Sequence, residues 1–312
     1  MKMNEPARMP STPKSVPART PASSAASTPA STPLGIICGG GAVPFAVAEA
    51  VMHRGRRVVL FALRGWGDLD AVGGYPHHWI ALGQFDRFCR LARAEGCRDI
   101  VLVGTLVRPA LRELRLDWGT VTRLPRIIRS LRGGDDHLLS GIASILESDG
   151  FRLIGAHEVA PEITAPPGLL GRHRPDAGTE GDIDRGFALL NAIGPFDVGQ
   201  AVVVAGGHVV AVEAAEGTDG MLERVAALRE RGRIRLRARA GVLVKAPKVG
   251  QDRRFDLPSI GPDTVARAAA AALAGIAVVA GATILAEPQR MIEAADRAGL
   301  FVLARPEDEG GR

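Results

Sequence analysis

The chain has 312 residues, of which 46% are hydrophobic and 23% charged. That length supports two domains with their own cores, and the composition excludes a wholly disordered chain or a fibrous repeat. The net charge is +5, but Lys2, Arg8, Lys14 and Arg19 against Glu5 place most of it in residues 1–33, leaving only +2 for the remainder. A nearly neutral body with 4% aromatic residues offers neither a duplex-binding face nor a stacking platform for single strands, so no nucleic-acid partner is expected.

Residues 1–33 contain seven prolines, many Ser, Thr and Ala, and Val16 as the one large aliphatic besides Met. Such a segment cannot build a core and is read as a disordered basic tail, without the apolar stretch of a secretory signal. Leu34–Cys38 is an apolar run read as a strand, followed by Gly39-Gly40-Gly41. Val43, Val47 and Val51 then recur at the spacing of a helix face. Arg57–Leu63, Trp79–Leu82 and Asp99–Gly104 read as further strands, with a helix over Asp86–Ala94. Alternating strands and helices predict a parallel, Rossmann-like sheet.

Two helices are predicted at about 120–131 and 135–148, the second opened by Asp135-Asp136, acids suited to a helix N-terminus. The Pro- and Gly-rich stretch 161–181 reads as a connection, and Asp182–Ile193 as a helix. Gln200–Ala205 and His208–Glu213 around Gly206-Gly207 give a hairpin signal. Thr218 is the expected N-cap of a helix through about Glu230. Gly241–Lys245 reads as a strand, Pro262 opens an Ala-rich helix, and Ile276–Ala280 and Leu300–Leu303 are strands around a helix at 288–298. The uncharged run Ala268–Ala286 is long enough to raise a membrane span, but Ala, Gly275 and Gly281 make it a buried helix followed by a buried strand. The expected organisation is α/β: tail 1–33, a Rossmann-like domain over 34–160 including the helical region, and a distinct C-terminal catalytic domain over 161–312. Cys38, Cys89 and Cys97 form no CxxC, and an odd, small number of cysteines predicts reduced thiols and a cytoplasmic setting.

The chemistry-bearing residues fall in a few places. Gly39-Gly40-Gly41 between strand and helix suits a phosphate or nucleotide, or is a tight turn that needs glycine for its backbone alone. Pro44 stands where the third glycine of GxGxxG falls, and Arg64 ends the second strand without an acid for a nicotinamide ribose, so the dehydrogenase reading is weakened. The segment 245–256 holds Lys245, Lys248, Arg253 and Arg254 with Asp252 and Asp256, punctuated by Pro and Gly. It is either a solvated loop of ion pairs or a site, in which cations hold phosphate oxygens and a carboxylate holds Mg²⁺. Glu213, Glu216 and Asp219 form a second acidic group, although an acid in a first helical turn is favourable by itself. Arg108 follows the fourth strand, at the sheet edge where ligands of doubly wound folds bind, or is a plain surface arginine. His157 and Glu158 begin like a zincin helix but lack the second His.

The motifs LGIICGGGAVPFAVAE, GTLVRP, GGDDHLL, GAHEV, DVGQAVVV, AVEAAEGTDGML and KAPKVGQDRRFDLPSIG occur in this order. From about Leu34 to Leu303 the chain resembles the LpxI-type UDP-2,3-diacylglucosamine pyrophosphatases of lipid A synthesis. Val249 where Pro is common and Thr105 where Asn is common are modest departures that remove no charge. The resemblance implies hydrolysis of the diphosphate to UMP and 2,3-diacylglucosamine 1-phosphate (lipid X), with Mg²⁺, by a homodimer whose site lies between its domains. It makes Asp256, in the DLPxIG motif, the catalytic acid. The expected site comprises Gly39, Gly40, Gly41, Arg108, Gln200, Lys245, Lys248, Gln251 and Arg254 on the substrate, and Asp256, Asp252, Glu213 and Asp219 at the metal. An ordinary Asp, with a pKa of about 3.9, is a weak base at neutral pH, which favours metal binding or water positioning over proton abstraction. Two acyl chains imply transient contact with the inner face of the inner membrane. The alternatives are a non-catalytic UDP-sugar sensor and a nucleotide-dependent oxidoreductase.

Overall fold

The computed structural model describes residues 32–106, 117, 119–121, 135–234 and 239–307. Strands β1 (Leu34–Cys38), β2 (Val58–Leu63), β3 (His77–Ile80), β4 (Asp99–Val103) and β5 (Arg152–Leu153) form one sheet in the order β3-β2-β1-β4-β5. Every neighbouring pair in it is parallel. β1 and β2 are almost wholly buried because helices cover both faces, which is why they read as continuous apolar runs. The Val43–His53 helix closes one face through Val47 and Val51. Phe85–Ala94 and Asp135–Ser148 close the other, where Phe61, Phe88, Leu146 and Phe151 meet.

The second sheet has six strands in the order β6-β13-β11-β9-β7-β8. They are β6 (Gly168–Leu169), β7 (Ala201–Ala205), β8 (His208–Val212), β9 (Val242–Lys245), β11 (Gly275–Val279) and β13 (Phe301–Arg305). β9, β11 and β13 are parallel, and β7, β8 and β6 run antiparallel to their neighbours. The Ala177–Ile193 helix lies close on this sheet, since a side chain at Gly186 would reach within 2.4 Å of Val244. β10 (Ser259–Ile260) and β12 (Ile284–Leu285) form a small parallel ladder. Thr164 bridges to Ile284, and Ala165 N–H donates to Thr283 O at 2.8 Å, so the crossing chain is stitched to this ladder.

The doubly wound α/β architecture agrees with the sequence reading, and the differences are local. β3 begins two residues before the expected Trp79, at a sheet edge where the polar His77 and His78 masked the strand pattern. The helix expected from Asp182 begins at Ala177, because the Asp176 carboxylate accepts from Thr179 N–H at 2.8 Å and caps it; Gly178 and Gly181 had diluted its helical signal. Thr218 is not an N-cap: the helix spans Gly217–Glu230 after Glu216, and the Thr218 hydroxyl donates to Glu213 instead. The Ala-rich run divides as expected into the Pro262–Ala270 helix and buried β11. Among the described residues no helix is long and apolar enough to cross a membrane. The three cysteines are buried free thiols, and burial pushes those of Cys38 and Cys97 up to about 11. The tail to residue 31, most of the expected helix at 120–131, and Arg108 lie outside the described residues.

Candidate active site between the two domains

Three strand ends meet at one edge of the second sheet. Ala201 at the start of β7 lies opposite Lys245 at the end of β9, and Glu213 N–H, just past β8, donates to Ala201 O at 2.9 Å. Gln200, Glu213 and Lys245 are thereby gathered from distant parts of the chain. Lys245 is only 7% exposed, and its ammonium donates to Ser259 O at 3.0 Å. Burial pushes its pKa below the ordinary lysine value, while the carboxylates of Glu213, Asp219 and Asp256 oppose the shift. The arrangement is a buried amine facing acids.

The loop after β9 is ordered by its own side chains. Gln251 Oε1 accepts from Lys248 N–H at 2.9 Å, and Ala246 N–H donates to Gln200 O at 3.0 Å. Asp252 is gripped by Arg254 through Nε at 3.0 Å and a terminal guanidinium nitrogen at 2.7 Å, and these bonds hold its carboxyl below the usual carboxylate range. Arg254 also reaches Glu147 at 2.7 Å, on the Asp135–Ser148 helix of the first domain.

Asp256 stands where these elements come together. Its Oδ2 accepts from Gln200 Nε2 at 2.8 Å and from the Gln251 side-chain amide. Its two neighbours anchor it against the first domain: Phe255 packs on the cluster of Phe88, Leu146 and Phe151, and Leu257 on that of Val47 and Val101. Leu139, Asp252, Phe255 and Asp256 line a crevice there, with Leu139 contributed by the first domain. Asp256 is therefore an ionisable side chain fixed on the second domain and facing the first.

The other expected residues are distributed as follows. Gly39 and Gly40 pack against the turn after β4: Gly40 pairs with Thr105 at 2.9 and 2.8 Å, and a side chain at Gly39 would lie 2.7 Å from Thr105 O. Gly41 has φ +87°, a conformation open to glycine. Backbone packing and conformation thus account for the three glycines after β1, whereas Asp256 lies on the loop between β9 and β10. Lys248 pairs with Asp197. The four acids expected at the metal are not gathered. Asp252 is taken by Arg254, Asp219 pairs with Arg267 at 3.3 Å, and Glu213 accepts from Gln200 N–H at 2.9 Å and Thr218 Oγ at 2.8 Å. Among the described residues no group of three or more His, Cys, Asp or Glu could hold a metal. Asp256 alone still fits Mg²⁺ chemistry, because Mg²⁺ uses one or two carboxylates and completes its shell with water and substrate phosphates. Sequence reasoning missed Glu147 and Leu139, since nothing in a helical pattern announces a contact made 107 residues away.

A parallel nucleotide-type sheet, a second sheet carrying a polar centre, and a carboxylate at their junction define a two-domain α/β enzyme. Residues 33–163 match the family model of the LpxI N-terminal domain, and residues 166–303 match that of the LpxI C-terminal domain. The chain belongs to the LpxI family. It is 43% identical over 270 residues to the UDP-2,3-diacylglucosamine pyrophosphatase LpxI of Caulobacter vibrioides, covering 86% of this chain and 96% of that protein.

Proposed function

We propose that this chain hydrolyses the diphosphate of UDP-2,3-diacylglucosamine, releasing UMP and 2,3-diacylglucosamine 1-phosphate. The observation that carries the reading is Asp256, fixed by Gln200 and Gln251 at the junction of the two domains, in a chain 43% identical to a pyrophosphatase of that name.

Diphosphate hydrolysis needs neutralised phosphoryl oxygens and a water held in line with the leaving group. Asp256 supplies a fixed oxygen acceptor that orients the water or holds Mg²⁺. Bound Mg²⁺ supplies charge neutralisation at the phosphoryl oxygens. Lys245 faces the diphosphate from a buried position where its field is least screened, and Lys248 and Arg254, paired with Asp197 and with Asp252 and Glu147, order the loop that carries Asp256. The start of the Val43–His53 helix, which follows the glycine turn, faces the nucleotide side of the substrate. The protein acts in the cytoplasm as a homodimer and touches the inner membrane transiently, where a diacylated substrate resides. Phe196, 77% exposed, and Val249 lie on neighbouring loops on the catalytic side and suit such contact.

The test is UMP release from UDP-2,3-diacylglucosamine in detergent micelles, with Mg²⁺ and then with EDTA. Mg²⁺-dependent release of UMP and the monophosphate lipid is the expected result. Tight UDP-sugar binding without release, in folded protein, would overturn it in favour of a sensor.

A further inference from the structure

We infer that Gln200 and Gln251 are positioning residues that act through Asp256, in contrast to the substrate contacts expected of them from the sequence. The inference rests on Asp256 being the reacting carboxylate, and the experiment below separates the two.

Both side-chain amides converge on one oxygen, Asp256 Oδ2. The orientation of each is imposed from behind. Gln251 Oε1 accepts Lys248 N–H at 2.9 Å, so its NH₂ group must face Asp256; the flipped amide would set N–H against N–H and carbonyl against carboxylate. Gln200 is held through its backbone. Its N–H donates to Glu213 Oε2 at 2.9 Å, and its carbonyl accepts Ala246 N–H at 3.0 Å. Glu213 is steadied in turn by the Thr218 hydroxyl at 2.8 Å. The acidic group past β8 thus serves as the foundation of a clamp, which accounts for a glutamate and a threonine that a metal role and a helix cap do not.

The chemistry of the donors matters as much as their placement. Asp252 and Asp256 lie four residues apart on one loop. Asp252 is bound by a guanidinium, which cancels its charge and makes it structural. Asp256 accepts two neutral side-chain amides on one oxygen, which fix its rotamer and bring no charge of their own. A loop carboxylate free to turn would lose that geometry, and a displacement of about 1 Å at a reacting centre costs on the order of a hundredfold in rate.

The full-length chain is assayed for UMP release as wild type, Gln200→Met, Gln251→Met, Gln251→Glu and Asp256→Asn, with melting temperatures in parallel. Isothermal titration with UMP reports binding apart from turnover. Each Met variant is expected to lose about tenfold or more in kcat with KM and UMP affinity within about twofold, the signature of a lost transition-state geometry. Gln251→Glu keeps the acceptor for Lys248 N–H and sets an anion against Asp256; it should melt near wild type and lose at least as much kcat. The Met change at Gln251 placed on Asp256→Asn should add nothing further to the loss in kcat, or, where that background has no turnover, should leave UMP affinity unchanged. A raised KM with intact kcat, weakened UMP binding, or full additivity with Asp256→Asn would overturn the inference and return both glutamines to the substrate. Undiminished turnover in Asp256→Asn alone would instead overturn the reading of Asp256.

Discussion

Gln200 donates its side-chain amide to Asp256 Oδ2 at 2.8 Å, across 56 residues of sequence. The bond joins the start of β7 to the loop after β9, two segments adjacent because Ala201 and Lys245 share a register position in an antiparallel pair. The Asp256 carboxylate is therefore referenced to the sheet as well as to its own loop. Asp256→Asn keeps the side-chain shape and removes the charge. Its kcat is expected to fall by about 10²–10⁴-fold, with the melting temperature and UMP affinity preserved. UMP-release kinetics beside calorimetric binding checks this.

Lys245 gives a different signature, because its burial disfavours the ammonium. Its folded pKa lies below the ordinary 10.5, so its contribution to stability is fully favourable only above that value and is lost as pH falls through the folded pKa. Below 10.5 burial therefore sets a cost on the charged form. Lys245→Met should be at least as stable as wild type at pH 7, while turnover drops sharply. The stability difference should move toward wild type as the pH approaches 10.5. Urea unfolding at the two pH values tests the sign, and a clear loss of stability at pH 7 would count against it.

Asp182 separates stability from activity. Its carboxylate accepts Gly206 N–H at 2.9 Å and Gly207 N–H at 2.7 Å, tying the Ala177–Ile193 helix to the β7–β8 turn. That turn lies at the opposite end of β7 from Gln200. Asp182→Ala should cost about 1–3 kcal/mol of stability and leave kcat near wild type at a temperature where the variant is folded. Denaturant titration and initial rates together decide it.

Gly39 tests the backbone role of the glycine turn. An alanine there places its methyl 2.7 Å from Thr105 O and 2.9 Å from the Gly104 carbonyl carbon, both main chain, so the β4 turn must move. Gly39→Ala should lose about 1–3 kcal/mol, as overpacked sites do. A variant as stable as wild type would show that the turn yields easily.

The Arg254–Glu147 bridge crosses between the domains but is about two-fifths exposed at each end, and Asp252 holds the same guanidinium independently. Glu147→Gln should therefore cost less than about 1 kcal/mol, an effect that shrinks further in salt. Unfolding midpoints at low and high ionic strength measure it.

Much of the fold can be read from the order of residues. Apolar runs such as Leu34–Cys38 and Val58–Leu63, spaced by helices with apolar faces, specify a parallel sheet because strands buried on both sides must be apolar throughout. The Gly206-Gly207 hairpin was legible from its turn chemistry. What the sequence could not supply was partnership. Four acids read as one metal set are divided by the tertiary structure among Arg254, Arg267, the Thr218–Gln200 brace and the paired amides on Asp256. Each acid carries the same charge in sequence. What distinguishes them is the set of donors that folding brings to each, and those arrive from strands and helices many residues away.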